Sequence, residues 1–118
     1  MAMRRVWITP NERALMLAYG AQSAAGENLD PKPVLKLFTP GGPCIWLLTE
    51  LDIEDPDIAF GLCDLGVGFP EMGSVRLSKL MRVRGPQGFA VMRDFRFSPT
   101  GTIGQYATEA LKDRAVRA

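Results

Sequence analysis

The sequence predicts an α+β domain: a small antiparallel sheet of about four to five strands, with N-terminal and C-terminal helices packed on it. Three observations lead there. Capping boxes sit near both ends, at Thr9 with Glu12 and at Thr102 with Gln105. Between them, short apolar runs are separated by Pro, Gly and Asp clusters, the pattern of strands joined by turns. The last helical segment carries an apolar stripe at helical spacing, which needs a sheet face to lie on.

The chain of 118 residues is one domain, 1–118, long enough to bury a core without metal or disulfide support. Residues 1–33 hold the N-terminal helix and a linker, and 34–118 the sheet, a short helix and the C-terminal helix. In the first part, Pro10 suits the first helical position behind the Thr9 cap. The segment through Ala18 and Tyr19 favours helix, though its apolar residues run together and define no clear buried face. Ser23 to Pro33 is rich in turn formers and reads as linker.

"VLKLFT" (Val34 to Thr39) is the first strand, closed by "PGGP". "CIWLLTEL" (Cys44 to Leu51) is apolar on both faces until Thr49 and reads as a central strand. "DIEDPD" turns the chain, and "IAFGLCDL" (Ile58 to Leu65) returns antiparallel. "GVGFPEMG" is a further turn, after which "SV" begins a short edge strand. "LSKLMRV" places Leu77, Leu80 and Met81 at i, i+3, i+4 and fits a short helix. "FAVMRDFRF" (Phe89 to Phe97) is the last strand, with Val91, Arg93, Phe95 and Phe97 on one face. Ile103, Tyr106, Ala107, Ala110 and Leu111 then form the stripe of the C-terminal helix.

Composition narrows the chemistry. Net charge is +1, which makes no global case for nucleic acid or an anionic membrane. The chain has no histidine, which removes the usual general base, the usual metal-binding imidazole and every Ser-His or Cys-His pair. The opening "MAMRRVWITP" lacks the roughly 7–15-residue apolar core of an export signal, and no run approaches the ~18 residues of a membrane span. A cytoplasmic protein with no cofactor and no membrane partner is the expectation. A hairpin centred on Asp55 pairs residues whose numbers sum to about 110. Cys63 then faces Leu47 and Cys44 faces Gly66, which leaves the thiols some 10 Å apart and both free.

Several clusters are candidate sites. The glycines of "LGVGFPEMG" lack the spacing of a dinucleotide or Walker loop and are better explained as turn formers. Glu50, Asp52, Glu54, Asp55, Asp57, Asp64 and Glu71 make an uninterrupted acidic stretch, but its calcium-loop pattern is broken by Pro56 and Asp57. No metal site is assigned. Arg76, Lys79, Arg82, Arg84 and Arg96 are candidate contacts for nucleic acid or a partner, with Phe89 or Phe95 able to stack a base. Strand parity places Arg93 among aromatics, Glu50 beside Trp46 and Leu48, and Asp64 beside Phe60 and Leu62. Buried charge there needs a partner, so an Arg93 pair with Glu50 or Asp64 is expected, either as a structural bridge or as part of a pocket for an anionic or amide ligand.

Taken together, "KLFTPGG", "WLLTELDIEDPDIAFGLCDLGVGFPEMGSV" and "RGPQGFAVMRDFRFSPT" resemble the bacterial family catalogued as domain of unknown function 2958, over Leu35 to about Ala110. The resemblance implies a small protein of the kind often encoded on plasmids and integrative elements. It brings no catalytic role for any residue. The chain departs from the pattern at Arg76, where a capping Ser or Thr is more typical. The functional expectation is a non-enzymatic accessory protein of a mobile element that contacts an unidentified protein, as a regulator or an inhibitor of a host system. Nucleic-acid binding through Arg76–Arg96 and a metal-dependent nuclease built on carboxylates are the alternatives.

Overall fold

The computed structural model describes residues 7–118; the first six, part of the segment read above for an export signal, lie outside the described residues. The order is α1 (Pro10–Ala24), β1 (Leu35–Phe38), β2 (Ile45–Leu51), β3 (Ile58–Asp64), β4 (Glu71–Arg76), α2 (Leu77–Leu80), β5 (Met92–Arg93) and α3 (Ile103–Asp113). The strands form one five-stranded sheet in the order β4-β3-β2-β1-β5, every neighbouring pair antiparallel. This is the predicted α+β class, with β2 central.

The central strand β2 is covered on both faces over most of its length, which explains why it reads as apolar. On the first face Leu35, Leu37, Trp46, Leu48 and Leu51 pack with Met16 of α1, Leu77 and Leu80 of α2, and Val91. On the second, Leu47 and Leu62 pack with Ile103 and Ala110 of α3 and with Val116. Each fully buried leucine stabilises the fold by roughly 1.5–3 kcal/mol before entropy is counted. The segment from α2 to β5 crosses the first face from the β4 edge to the opposite edge.

Both capping boxes form, Thr9 with Glu12 and Thr102 with Gln105. The missing stripe of α1 has a physical counterpart, since Met16 and Gly20 are its only buried residues. The helix docks by close approach, not by a ridge: a Cβ on Gly20 would stand 1.8 Å from the Leu51 carbonyl oxygen. In α3 the expected stripe faces the sheet except at Leu111, which is 72% exposed.

Three expectations need correction. First, β4 begins at Glu71, so "EMG" belongs to the strand and not to the turn. Second, the Phe89–Phe97 strand shrinks to Met92–Arg93 with an isolated Arg84–Ala90 bridge. Asp94 ends it, because its carboxylate accepts from the Arg96 amide at 2.9 Å and its carbonyl from the Phe97 amide, turning the chain. Third, β2 contains a bulge. Leu48 pairs with Gly61 and Glu50 with Phe60, so Thr49 is an extra residue whose hydroxyl donates to the Phe60 carbonyl at 3.2 Å. The bulge reverses the parity after Leu48: Leu51 joins the first face, and Glu50 moves to the second face beside Phe60. The hairpin keeps the expected register next to the turn, at Glu50–Phe60 and Leu51–Ala59, and shifts by one position beyond the bulge, which sets Cys63 opposite Trp46. Both cysteines are free.

Candidate functional site

The three charged residues expected to pair do not meet. Glu50 lies on the second face, opposite Phe60, and Asp64 lies on that face four residues further along β3, about 13 Å away at the usual rise. Arg93 pairs with Leu37, a first-face residue, so the sheet itself separates it from both carboxylates. Each finds another partner.

Arg93 donates through Nη1 and Nη2 to the two carboxylate oxygens of Glu12, and Nη1 also donates to the Trp7 carbonyl at 2.7 Å. Its guanidinium lies 4.6 Å from the Phe95 ring centroid. Hydrogen bonding from Arg93 is the main reason that the Glu12 carboxyl drops from 4.5 to about 2, against a smaller opposing effect of burial. In sequence, Glu12 was visible only as a capping residue; its spacing from Arg93 gave no signal.

Asp64 is buried and held by backbone alone: Oδ1 accepts from the Gly66 amide and Oδ2 from the Val116 amide, each at 2.8 Å. It fixes the turn after β3 and anchors the segment after α3 to it. Glu50 accepts from the Ser23 hydroxyl at 2.6 Å.

The acidic stretch divides in the same way. Asp52 accepts from the amides of Glu54 and Asp55 and closes the β2–β3 turn. Asp55 and Asp57 both pair with Arg76, at 3.0 and 3.2 Å. Asp57 also takes the place of the missing cap on α2, accepting from the Ser78 amide and hydroxyl at 3.0 and 2.7 Å; the Ser78 hydrogen bonds chiefly lower its pKa. The Arg76 departure is thus compensated from a neighbouring turn. Among the described residues, no three His, Cys, Asp or Glu side chains converge as metal ligands. Of the other basic candidates, Lys79, Arg82, Arg84 and Arg96 are exposed, and Arg84 donates to the Met81 and Val83 carbonyls.

Two surface features emerge that the sequence did not announce. The first is a rim at one end of the sheet, where the loops 39–44, 65–70 and 84–91 converge. Gly66, at φ 79°, lies against Pro43, and a Cβ there would stand 2.4 Å from the proline ring; the Leu65 carbonyl accepts from the Cys44 thiol at 3.6 Å. Gly41 abuts the end of the Gln87 side chain, and a Cβ on Gly85 would stand 2.6 Å from the Pro40 carbonyl oxygen. These contacts hold three loops as one body, and that body exposes Leu65, Val67, Phe69 and Phe89, with Phe69 at 74% and Val67 at 68%. The "LGVGF" glycines are therefore turn formers, as the sequence suggests, in a turn that presents apolar side chains.

The second is a groove on the part of the second face that α3 leaves uncovered. The C-terminal turn of α1 and the linker after it form one wall, and Phe60, Met72 and Ser74 form the floor. Its two lobes, of about 370 and 240 Å³, share Ser23, Glu50 and Phe60.

The molecule is thus an α+β protein with helices on both faces of a five-stranded antiparallel sheet, a laced apolar rim and an acidic groove. It belongs to the family described as "Protein of unknown function (DUF2958)", whose model matches residues 7–117. No curated protein and no solved structure matches the chain. Among the described residues, no helix is long and apolar enough to cross a membrane.

Proposed function

We propose that the chain is a non-enzymatic binding protein of the cytoplasm that acts by contact with a protein partner. In keeping with the resemblance, it serves a mobile element as a regulator or inhibitor of a host system. The rim carries this reading. Scattered exposed apolar residues are ordinary, but four on two loops joined through a third at one end of the sheet form the kind of surface that binding uses. Because those loops are already held together, docking costs little ordering entropy. The engagement of Asp64 by two backbone amides, and its distance from Glu50 along the sheet, weigh against the carboxylate nuclease.

The test is capture of a partner with the purified chain, followed by reconstitution from purified components. The double variant Val67→Ser, Phe69→Ser should bind at least tenfold more weakly while keeping its melting temperature. Undiminished binding by that variant would refute the rim as the contact. Turnover of a compound, abolished by one side-chain truncation that leaves stability intact, would refute the non-enzymatic class.

Nucleic-acid binding keeps one observation in its favour: Lys79, Arg82 and Arg84 are exposed near the loop that bears exposed Phe89. It requires retention on DNA or RNA that falls steeply with salt and weakens on Arg82→Ala with Arg84→Ala.

A further inference from the structure

We infer that the groove on the second face receives a lysine- or arginine-bearing segment of a protein, with the cationic head of one side chain set against Glu50. The inference stands apart from the rim, since Glu50 lies toward the end of β2 that points away from it.

The groove has the chemistry for such an occupant. Its floor offers Phe60 and Met72, both with accessible surface, on which the alkyl stem of a long side chain can lie. Its charged lining is of one sign: Glu27, Glu50, Asp52 and Glu54, with no lysine or arginine in either lobe. Glu50 is common to both lobes and is half-buried, and its hydrogen-bond partner is the neutral Ser23 hydroxyl. Among the described residues, neither Glu27, Glu50 nor Glu54 takes part in an ion pair. Asp55 and Asp57, by contrast, pair with Arg76, and Glu12 pairs with Arg93. The larger lobe, about 370 Å³, is roomy enough for one arginine side chain with space beside it. A cation over the Phe60 ring would gain from the ring face as well as from the carboxylate. A small polyamine matches the charge but not the floor, which favours a chain with apolar neighbours flanking its basic residue.

The experiment uses the full chain and a fluorescent ten-residue peptide that alternates arginine with leucine, alongside its glutamate–leucine counterpart. The basic peptide should bind, the acidic one should not, and amide signals of Ser23, Glu50, Phe60 and Ser74 should shift on titration. Glu50→Gln, which can still accept from Ser23, should weaken binding at least tenfold with an unchanged melting temperature. Val67→Ser with Phe69→Ser should leave it unaltered, so that failure here and failure of the rim reading remain distinct. Absence of binding up to millimolar peptide would overturn the inference. So would equal binding by Glu50→Gln, which would mark a diffuse acidic surface, or full displacement by spermine at equal concentration, which would mark a small-cation site.

Discussion

Arg93 and Glu12 form a two-point ion pair across 81 residues of sequence, joining the edge strand β5 to the first turn of α1. The same Glu12 carboxylate accepts from the Thr9 amide at 3.0 Å, so one side chain both caps the helix and docks it. Planar, charge-assisted contacts of this kind are among the stronger hydrogen bonds in proteins.

Acid should therefore loosen α1. The Glu12 carboxyl titrates at about 2 in the folded chain against 4.5 ordinarily. A depressed carboxyl adds stability that is complete above about pH 4.5 and is lost as pH falls toward 2. Glu12→Gln should cost about 1–3 kcal/mol near neutrality and reduce the acid-side decline. Urea midpoints near pH 7 and pH 3 for both chains measure this; identical pH dependence would show that the pair contributes nothing.

Asp64 makes a contrasting case, a buried carboxylate without a cation. Asp64→Asn replaces one of the two accepting oxygens by an amide NH2 that faces a backbone N–H, and a buried donor left without a partner costs about 1–3 kcal/mol. The loss should appear locally first, as faster hydrogen exchange at the Val116 amide than in the parent chain. Unchanged exchange there, with the fold intact, would mean that the segment after α3 is held by its apolar contacts alone.

Gly66 and Gly68 allow a controlled comparison. Both have positive φ, 79° and 87°, but a Cβ on Gly66 meets Pro43 whereas one on Gly68 meets open space. Gly68→Ala should carry only the backbone penalty, about 1 kcal/mol, and Gly66→Ala more. If the rim is laced as described, the Gly66 variant should also broaden the amide signals of the 39–44 loop, and the Gly68 variant should not. Equal effects would remove the lacing.

Cys63 should be nearly inert. Burial pushes its thiol up to about 11, helped by nearby Glu71, so little thiolate exists at neutral pH. Iodoacetamide near pH 8 should alkylate it on the order of a hundredfold more slowly in the folded chain than in urea, as peptide mass spectrometry can follow. Comparable rates would contradict the packing around β3.

Local signals were readable in the sequence, and nonlocal ones were not. Thr9, Glu12, Thr102 and Gln105 revealed both helix starts because a capping box is written within four residues. The β2–β3 pairing emerged within one position because a tight turn fixes its register. The single-residue bulge at Thr49 has no such signature, and it moved Glu50 to the other face. Asp94 ended a strand that alternation alone had extended to Phe97. Packing of α1 on the sheet was legible, but its buried face was not, because that face depends on the absence of a side chain at Gly20. The candidate site suffered most. Arg93 was rightly recognised as a charge in need of a partner, but that partner lay on an element with which parity makes no connection. The rim and the groove are assembled from loops and walls far apart in the chain, so no short motif encodes them.

The extra residue in β2 also bears on how this chain can change length. Between Leu48 and Glu50 the ladder has one position fewer than the strand has residues, so removing Thr49 would leave both neighbours facing as they do now, at the loss of one hydroxyl contact. Removing Leu47 instead would turn part of the strand inside out. Within the sheet, Thr49 is thus a place where insertion and deletion are interchangeable at modest cost, and homologues lacking a residue there would keep the same core.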